Sequence, residues 1–281
     1  ITFPTPEPGK HVVIVNSNDI VCSGALPFGF LSTIIAPKSV SFEEIHKIQQ
    51  QMHEQCKKQN ITILGGHTEI SSAVNSIVLS GHMFGFVPKA YLIPNKLSLD
   101  EKIIIIGYAG AEGTGIIIKE GGKRINRILD KDEIKEGRRI GSNINITKLA
   151  LELNRRFKPS LMHDATEGGV FGALSEIVVY TDVGIRLEDD APISGVTKKL
   201  AERLRFNPYR LISSGAIILS TNKEKALNVV EYCNLNGIPC KIIGTVIKSK
   251  GEVILGNITI DKPKGDDIIK ALEELEKIDD G

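Results

Sequence analysis

The sequence is poor in cysteine and in long hydrophobic runs. Its four cysteines form no CxxC pair and are too sparse for a disulfide scaffold or a zinc site, which predicts that they are reduced and buried. No apolar run reaches the roughly 18 residues that a membrane-spanning helix needs, and the first residues lack the basic-then-apolar order of a signal peptide. We therefore expect a cytoplasmic protein without a membrane partner.

Excess charge of one sign and aromatic residues are also scarce. The 35 Lys and Arg residues balance 34 Asp and Glu residues, for a formal net charge of +1, and aromatic residues make up 5% of the chain. A nucleic-acid-binding protein needs a basic surface for phosphates and commonly stacks bases on aromatic rings. The sequence therefore predicts no nucleic-acid partner. The remaining composition, 281 residues that are 41% hydrophobic and 25% charged, is typical of a globular chain of about two domains.

The hydrophobic pattern of the first part of the chain predicts three strands and one helix. A β-branched run at 11–15 predicts an inner strand, and a capping-box sequence followed by apolar residues at helical spacing predicts a helix over 42–58. Further strands are expected at 61–64, as a short buried run, and over 77–86. These strands offer more apolar surface than one helix can cover, which predicts a homodimer.

A second part of the chain is set off by prolines and polar residues at 88–100, which predict a linker. The expected domains are therefore 1–90 and 91–281, and the second opens with an isoleucine-rich strand at 103–106. Helices are then expected at 143–157, 168–181, 195–204, 223–235 and 264–278, and strands at 184–188, 215–220, 238–247 and 251–260. Strands that alternate with helices indicate the α/β or α+β class, with helices packed on a sheet.

Polar residues follow two predicted strands of the first part. The segment Gly65–Glu69 reads GGHTE, in which paired glycines let the backbone approach a ligand and the polar side chains could face a phosphate or a metal. A plain strand-to-loop turn with a surface histidine is the alternative. The segment Asn16–Asp19 offers amide and carboxylate oxygens suited to Mg²⁺, although Asn and Asp also build ordinary turns.

Two further glycine-containing segments belong to the second part. His163–Gly169 runs into a predicted helix, so Asp164 or Thr166 could be its N-cap and the glycine pair would leave first-turn N–H groups open to an anion. A capped helix start with close backbone packing is the alternative. Gly107–Gly115 holds four glycines and is a candidate phosphate cradle, but it matches neither Walker A nor GxGxxG. P-loop NTPases and nicotinamide-dependent dehydrogenases are thereby disfavoured.

Taken in order, these segments resemble the AIR synthase-related (PurM-like) superfamily. The resemblance also includes Ser23–Pro27 and Ile212–Ala216, covers nearly the whole chain, and is most similar in spacing to HypE-like hydrogenase maturation proteins. It implies a two-domain α/β fold in which N-terminal strands of two subunits form a shared dimer barrel and the C-terminal domain is an α/β sandwich. It also implies ATP and Mg²⁺ bound between the subunits.

The resemblance implies roles for individual residues. Asp19 and Glu69 would hold Mg²⁺ and, with Asp164, form the catalytic set. The residues implied in nucleotide or phosphate binding are Asn18, Gly65, Gly66, His67, Thr68, Gly113, Thr114, Gly168 and Gly169. The implied reaction is ATP-dependent phosphorylation of an amide-type oxygen on a small-molecule or protein-bound substrate. A small-molecule kinase resembling thiamine-monophosphate kinase and a non-catalytic nucleotide-binding dimer are the alternatives.

Three departures from the HypE-like pattern bear on that reaction. The family normally has an acidic segment before the first strand expected here, which predicts an N-terminally truncated first domain. HypE proteins end in a cysteine that carries the reacting group, whereas the last cysteine of this sequence is Cys240, in a predicted strand. Glu69 and Glu167 stand where HypE-like proteins commonly have Lys and Arg. These differences predict a substrate other than that of HypE.

Overall fold

The computed structural model describes residues 7–278, and the chain divides between Leu92 and Ile93 into two compact units. We call them the N-terminal unit and the C-terminal unit. The N-terminal unit contains α1 (Pro8–Cys22), β1 (Leu26–Ala36), α2 (Phe42–Lys58), β2 (Thr62–Ile70) and β3 (Val78–Phe86), followed by a 3₁₀ turn at Lys89–Tyr91.

The first element is a helix, so the strand predicted at 11–15 is wrong. Pro8 fits the first turn of α1, because a backbone N–H there has no acceptor within the helix and proline lacks that N–H. The polar side chains of Asn16 and Ser17 donate to carbonyl groups four residues earlier, at 2.8 and 2.7 Å, which satisfies them inside the helix. A short apolar run that is buried on several sides has no periodicity that separates strand from helix.

The helix predicted over 42–58 is confirmed as α2. Ser41 accepts a hydrogen bond from the backbone of Glu44, whose side chain accepts one from the backbone of Ser41, so the capping box is closed. Its apolar residues at helical spacing are buried, from Ile45 to Cys56. They pack with α1 on Phe30 and Ile34 of β1 and form the core of the N-terminal unit.

The sheet of the N-terminal unit has the order β2-β1-β3, with β1 parallel to β2 and antiparallel to β3. Both helices pack on one face of this sheet. On the other face, which we call the open face, Phe28 stacks on Phe86 with ring centroids 4.3 Å apart, and Phe84 lies beside them. Every residue of β2 is exposed, so the burial predicted for 61–64 is confirmed only for Ile61.

The C-terminal unit is built on a second, larger sheet. Its elements are β4 (Lys102–Ile106), α3 (Ala111–Glu120), α4 (Lys131–Ser142), α5 (Thr147–Phe157), β5 (Leu161–Ala165), α6 (Gly169–Val178), β6 (Gly184–Leu187), α7 (Gly195–Leu204), β7 (Ala216–Thr221), α8 (Lys223–Leu235), β8 (Cys240–Ile247), β9 (Val253–Leu255), β10 (Ile258–Thr259) and α9 (Asp267–Glu276). The seven strands have the order β10-β9-β6-β8-β4-β7-β5, and β4 at its centre is fully buried from Ile103 to Ile106.

Most predicted elements of the C-terminal unit are confirmed. Helices α7 and α8 have the predicted bounds, α5, α6 and α9 are shorter, and 251–260 forms two short strands in place of one. Helix α3 begins inside the glycine-containing segment Gly107–Gly115, and helix α4 is an additional element that the hydrophobic pattern did not predict. With two sheets and helices packed on them, the mixed α/β fold class is confirmed.

The four cysteines are free thiols. Cys22, Cys56 and Cys233 are buried, whereas Cys240 is only partly covered at the first position of β8. No helix within residues 7–278 combines the length and the apolar character needed to span a bilayer.

Candidate functional site

Asn18 and Asp19 lie in the last turns of α1, not in a turn after a strand. Neighbouring positions on an α-helix are separated by about 100°, and accordingly Asn18 is fully buried while Asp19 is exposed. The expectation that both side chains face one ligand is therefore wrong. Only Asp19 is accessible from solvent.

The GGHTE segment lies inside β2 and not at its end. It runs parallel to β1, and a bulge at Leu64 brings Gly65 opposite Leu31. Residues alternate between the faces of a strand, so His67 and Glu69 lie on the open face, where their side chains approach to 3.6 Å between Nε2 and Oε2. Both are more than half exposed and can meet a ligand from that side.

Thr68 and Gly66 of this segment contact other parts of the N-terminal unit. Thr68 lies on the helix-covered face, where Gln49 of α2 donates to its hydroxyl at 3.4 Å. A Cβ added at Gly66 would lie 2.4 Å from the carbonyl oxygen of Ser32. Glycine is therefore needed at position 66 for the close packing of β2 on β1, with no ligand required to explain it.

Asp19 and Glu69 are far apart within one chain. Ile20, beside Asp19, lies against Gly85, whose partner on β1 is Pro27, whereas Glu69 is paired with Ile35. The distance from position 27 to position 35 is about 25 Å at a rise of roughly 3.3 Å per strand residue. Asp19 itself is exposed in the last turn of α1. The carboxylates of one chain are therefore too far apart to share one Mg²⁺ ion, and an ion held between two subunits stays a prediction.

Gly113 and Thr114 lie in α3, because the predicted glycine loop turns into a helix after Gly110. Thr114 is buried, and its hydroxyl is 2.8 Å from the carbonyl oxygen of Gly110 and 2.7 Å from the hydroxyl of Thr197 on α7. A Cβ at Gly113 would meet the side chain of Leu211 at 2.4 Å. Both residues serve the packing of the C-terminal unit, and the predicted phosphate cradle is not formed there.

Asp164 lies in β5 and does not cap a helix. It is 4% exposed and is paired with Ile217 of β7 at the edge of the large sheet. The N-cap of α6 is Gly168, in the left-handed conformation with φ of +77°, so the prediction of Asp164 or Thr166 as the cap is wrong.

The N–H groups of the glycine pair are both engaged. Gly168 donates to Oδ2 of Asp266 at 2.7 Å, and Gly169 donates to the carbonyl oxygen of Thr166 at 3.0 Å. The place predicted for an external anion at the start of α6 is thus held by a carboxylate of the chain itself. This arrangement agrees with the alternative interpretation of the segment, a helix start with close backbone packing and without a bound anion.

Asp266 was missed by the sequence reasoning, although a signal for it exists. Two aspartates directly before Ile268 and the apolar residues of α9 are a helix N-cap signature, and Asp266 does accept from the backbone N–H of Ile268 at 2.8 Å. Burial raises the pKa of Asp266, while its backbone N–H donors act in the opposite direction. The sequence gives no indication that this cap also reaches Gly168, which lies far away along the chain.

The donor set suits a nucleotide-bound cation better than a dedicated metal site. Across residues 7–278, no three His, Cys, Asp or Glu side chains converge so that they could hold a metal ion. Mg²⁺ that arrives with nucleotide phosphates requires only one or two protein carboxylates, because phosphate oxygens and waters complete its shell. Glu69, exposed beside His67, has the chemistry for such a contact.

Comparison with protein-family models identifies the class of protein to which this fold belongs. Residues 4–87 match the N-terminal domain of AIR synthase related proteins, and residues 100–256 match their C-terminal domain. The chain belongs to the AIR synthase related family, and the resemblance inferred from its motifs is confirmed.

Two individual proteins of known name are similar to the chain over most of its length. The chain is 27% identical over 276 residues to a protein of Methanocaldococcus jannaschii named for hydrogenase expression/formation, with 95% of this chain and 80% of that protein covered. It is 22% identical over 260 residues to carbamoyl dehydratase HypE of Escherichia coli strain K12, with 90% of this chain and 74% of that protein covered. The similarity to HypE-like proteins is thus confirmed.

Solved structures share the fold. A structure of HypE in complex with ATP superimposes with a TM-score of 0.79 at 18% identity, covering 96% of this chain and 83% of that one. Thiamine monophosphate kinase of Aquifex aeolicus gives a TM-score of 0.69 at 15% identity, covering 90% of this chain and 82% of that one.

Proposed function

We propose that this protein is an ATP-dependent enzyme that activates an amide-type oxygen by phosphorylation, on a small-molecule or protein-bound substrate. The observation that carries this proposal is the match of both family domains, together with likeness over 96% of the chain to a HypE structure that contains ATP. Transfer of phosphate to an amide oxygen turns that oxygen into a leaving group. Such a transfer depends mainly on positioning and charge neutralisation and needs little covalent chemistry from the protein.

The proposed nucleotide contacts are His67 and Glu69 on the open face. Glu69 would hold Mg²⁺, which supplies neutralisation of the phosphate charge when it is bound. His67, 3.6 Å from Glu69, would orient that carboxylate or meet a phosphate oxygen. In the C-terminal unit, Asp164 is the proposed substrate contact. Gly113 and Thr114 have no proposed role in binding, because they are packed in α3 against neighbouring segments.

The proposed active form is a homodimer joined through the open face. Apolar side chains are concentrated there in a chain with only 5% aromatic residues. Phe84 and Phe86 are 43% and 69% exposed, and both contact the ring of Phe28. A second copy would cover this face and close two sheets into the barrel that the family resemblance implies. Within residues 7–278 the outer edges of β2 and β3 pair with no further strand, and in the barrel these edges would also find partners.

A site between subunits accounts for the separation of the two carboxylates. Asp19 and Glu69 are about 25 Å apart along β1 of one chain. In a symmetric dimer the same interface is used twice, so Asp19 of one subunit and Glu69 of its partner can serve one nucleotide. We therefore propose that both carboxylates take part, each contributed by a different subunit.

Two measurements test the proposed function. Binding of Mg²⁺-ATP to the folded state should stabilise it by about 2.7 kcal/mol at a hundredfold excess over Kd, seen as a rise in the thermal unfolding temperature. Candidate amides carrying ¹⁸O, including a peptide with a carbamoyl group, should then pass the label to inorganic phosphate. Absence of any thermal shift with ATP and Mg²⁺ would contradict an ATP-dependent activity. A shift without labelled phosphate or a phosphorylated product would support a non-catalytic nucleotide-binding dimer.

A small-molecule kinase is the second candidate, favoured by the likeness in fold to thiamine monophosphate kinase. The isotope experiment separates the two, because a kinase leaves the phosphoryl group on the product. A stable phosphorylated product without labelled inorganic phosphate would identify the kinase.

A further inference from the structure

The start of α9 holds two loops of the C-terminal unit in place. Asp266 accepts from Gly168 at 2.7 Å through Oδ2 and from Ile268 at 2.8 Å through Oδ1, and the backbone N–H of Ile212 is a further partner. Asp266 is 6% exposed. One buried carboxylate thus joins three segments that are distant along the chain.

The adjacent residue strengthens the same junction. Asp267 accepts from the backbone N–H of Asn207 at 2.8 Å, and its other oxygen lies 3.7 Å from Nε of Arg210. The loop over 207–212 leads directly into the Ile212–Ala216 segment that contributed to the family resemblance. The two aspartates therefore anchor both the α6 turn and this loop to one helix start.

The two anchored loops also touch each other through their backbones. A Cβ added at Gly169 would lie 2.6 Å from the carbonyl oxygen of Tyr209 and 2.7 Å from that of Leu211. Ser213 donates to the carbonyl oxygen of Thr166 at 3.3 Å. The position of the turn after Asp164 is therefore set by α9 and by the 207–212 loop together.

The anchor lies outside the part of the chain that matches the family models, since the C-terminal match ends at residue 256. Side chains inside the matched domain do not supply the acceptor for Gly168, because the N–H of that residue is directed at Asp266. A charged acceptor forms a stronger hydrogen bond than a neutral one, and burial protects that bond from water.

We infer that Asp266 is a positioning residue of the proposed site: its carboxylate fixes the Gly168 turn and, through it, the strand end that carries Asp164. Only the expected effect on turnover rests on the proposed function. The anchoring of Gly168 itself concerns the folded protein without nucleotide. Because the proposed nucleotide contacts lie in the N-terminal unit, loss of the anchor should affect turnover more than nucleotide affinity.

The first arm of the test measures the anchor without ATP. Amide hydrogen exchange at Gly168, followed by NMR on the ¹⁵N-labelled full chain, should be at least about tenfold faster in Asp266→Ala than in the wild type, as expected for the loss of about 1.4 kcal/mol of protection. Asp261→Ala is the matched control, because Asp261 is an exposed aspartate that also lies beyond the matched domain. Unchanged exchange at Gly168 in Asp266→Ala would overturn the inference.

The second arm measures kcat and KM for ATP in an ADP-forming assay with the same candidate amides. Asp266→Asn keeps the size of the side chain but loses one acceptor oxygen, so it should fold while kcat falls about tenfold and KM for ATP changes less than about twofold. Asp261→Asn should leave both constants unchanged. Faster exchange with unchanged kcat would restrict Asp266 to a structural role and overturn the inference. A wild type that forms no ADP would refute the proposed function, while the exchange arm would still decide whether Asp266 fixes the turn.

Discussion

At the scale of single residues, the C-terminal unit uses glycine where backbone meets backbone. Gly169 has a φ of +64°, and its missing Cβ makes room for two carbonyl oxygens of the 207–212 loop. Gly256, in the turn between β9 and β10, has a similar φ of +61°, but a Cβ added there would meet nothing within 4 Å. The pair therefore separates the cost of backbone strain from the cost of a steric clash.

Gly169→Ala should lower the free energy of unfolding by about 3 kcal/mol, from a left-handed backbone penalty of about 1–2 kcal/mol and an overpacking cost of similar size. Gly256→Ala should cost only the strain, about 1 kcal/mol. Urea denaturation of both variants gives the comparison. Equal losses would show that the close approach of the 207–212 loop is relieved without cost.

Asp266→Asn should also change the dependence of stability on pH. Burial, with the nearby charge of Glu167, raises the pKa of Asp266 in the folded state. A raised pKa stabilises the folded protein fully below the unfolded pKa of about 3.9, and this contribution is lost as the pH rises through the folded pKa. The unfolding free energy of the wild type relative to Asp266→Asn should therefore fall as the pH rises through that window.

Urea midpoints measured at a series of pH values test this sign. Asp261→Asn, at an exposed position, provides the reference profile and should run parallel to the wild type. A wild-type advantage over Asp266→Asn that grows with pH would contradict the raised pKa. The absolute difference at one pH also contains the lost acceptor for Gly168, so only the slope decides the question.

At the scale of elements, periodic segments could be predicted from the sequence, whereas a short apolar run can be either a strand or a helix: the run at 103–106 forms the predicted strand, β4, and the run at 11–15 lies in a helix, α1. The alternation of buried and exposed residues in α2, α7 and α8 identifies a helix directly. In α1 all three residues from Val12 to Ile14 are buried, because α2 and the sheet pack around the helix. Three consecutive buried residues show neither the helix period nor the strand period. Strand β1 was missed for a related reason, since its glycine and proline interrupt the β pattern.

The open face of the N-terminal unit gives a prediction at this scale. Phe86→Glu should convert the proposed homodimer to a monomer of 30.6 kDa, because it places a charge among the stacked rings of Phe28 and Phe84. Phe42→Glu is the matched control, since Phe42 is 76% exposed at the first position of α2, away from the open face. Light scattering at micromolar concentration measures both.

Two outcomes would contradict the dimer proposal. One is a monomeric mass for the wild type, and the other is a dimeric mass for the folded Phe86→Glu variant. Dissociation of both variants alike would mean that the interface is not specific to the open face.

At the scale of the whole molecule, the motifs are correctly placed in the family but their distances could not be obtained from the sequence. The order of segments identifies the family because each motif keeps its place along the chain. Whether two motifs meet depends on register and on which face of the sheet each residue occupies. Asp19 and Glu69 look equivalent as carboxylates near the ends of predicted strands. In the structure Asp19 lies in α1, near the start of β1, whereas Glu69 lies in β2, beside the end of β1.

That separation leads to a complementation experiment on the intact dimer. If Asp19 of one subunit and Glu69 of its partner serve the same nucleotide, each single variant, Asp19→Asn or Glu69→Gln, should lose an order of magnitude or more in ATP turnover as a homodimer, the scale for losing a charge that stabilises a phosphoryl transition state. In a mixed dimer, one site receives both substitutions and the other receives neither. Random mixing by joint refolding should therefore restore about a quarter of the wild-type turnover, because half of the dimers are mixed and half of their sites are intact.

The control mixes Asp19→Asn with Asp19→Ala, two variants of the same position, for which every site stays damaged and no recovery is expected. Failure of the Asp19→Asn and Glu69→Gln mixture to recover, with subunit exchange verified by mass spectrometry, would rule out a site shared in this way. Full turnover in the Asp19→Asn homodimer would instead remove Asp19 from the site and leave Glu69 as the carboxylate on the open face. Recovery to about a quarter would explain why one chain keeps its two acidic residues about 25 Å apart along β1: each subunit completes the site of the other.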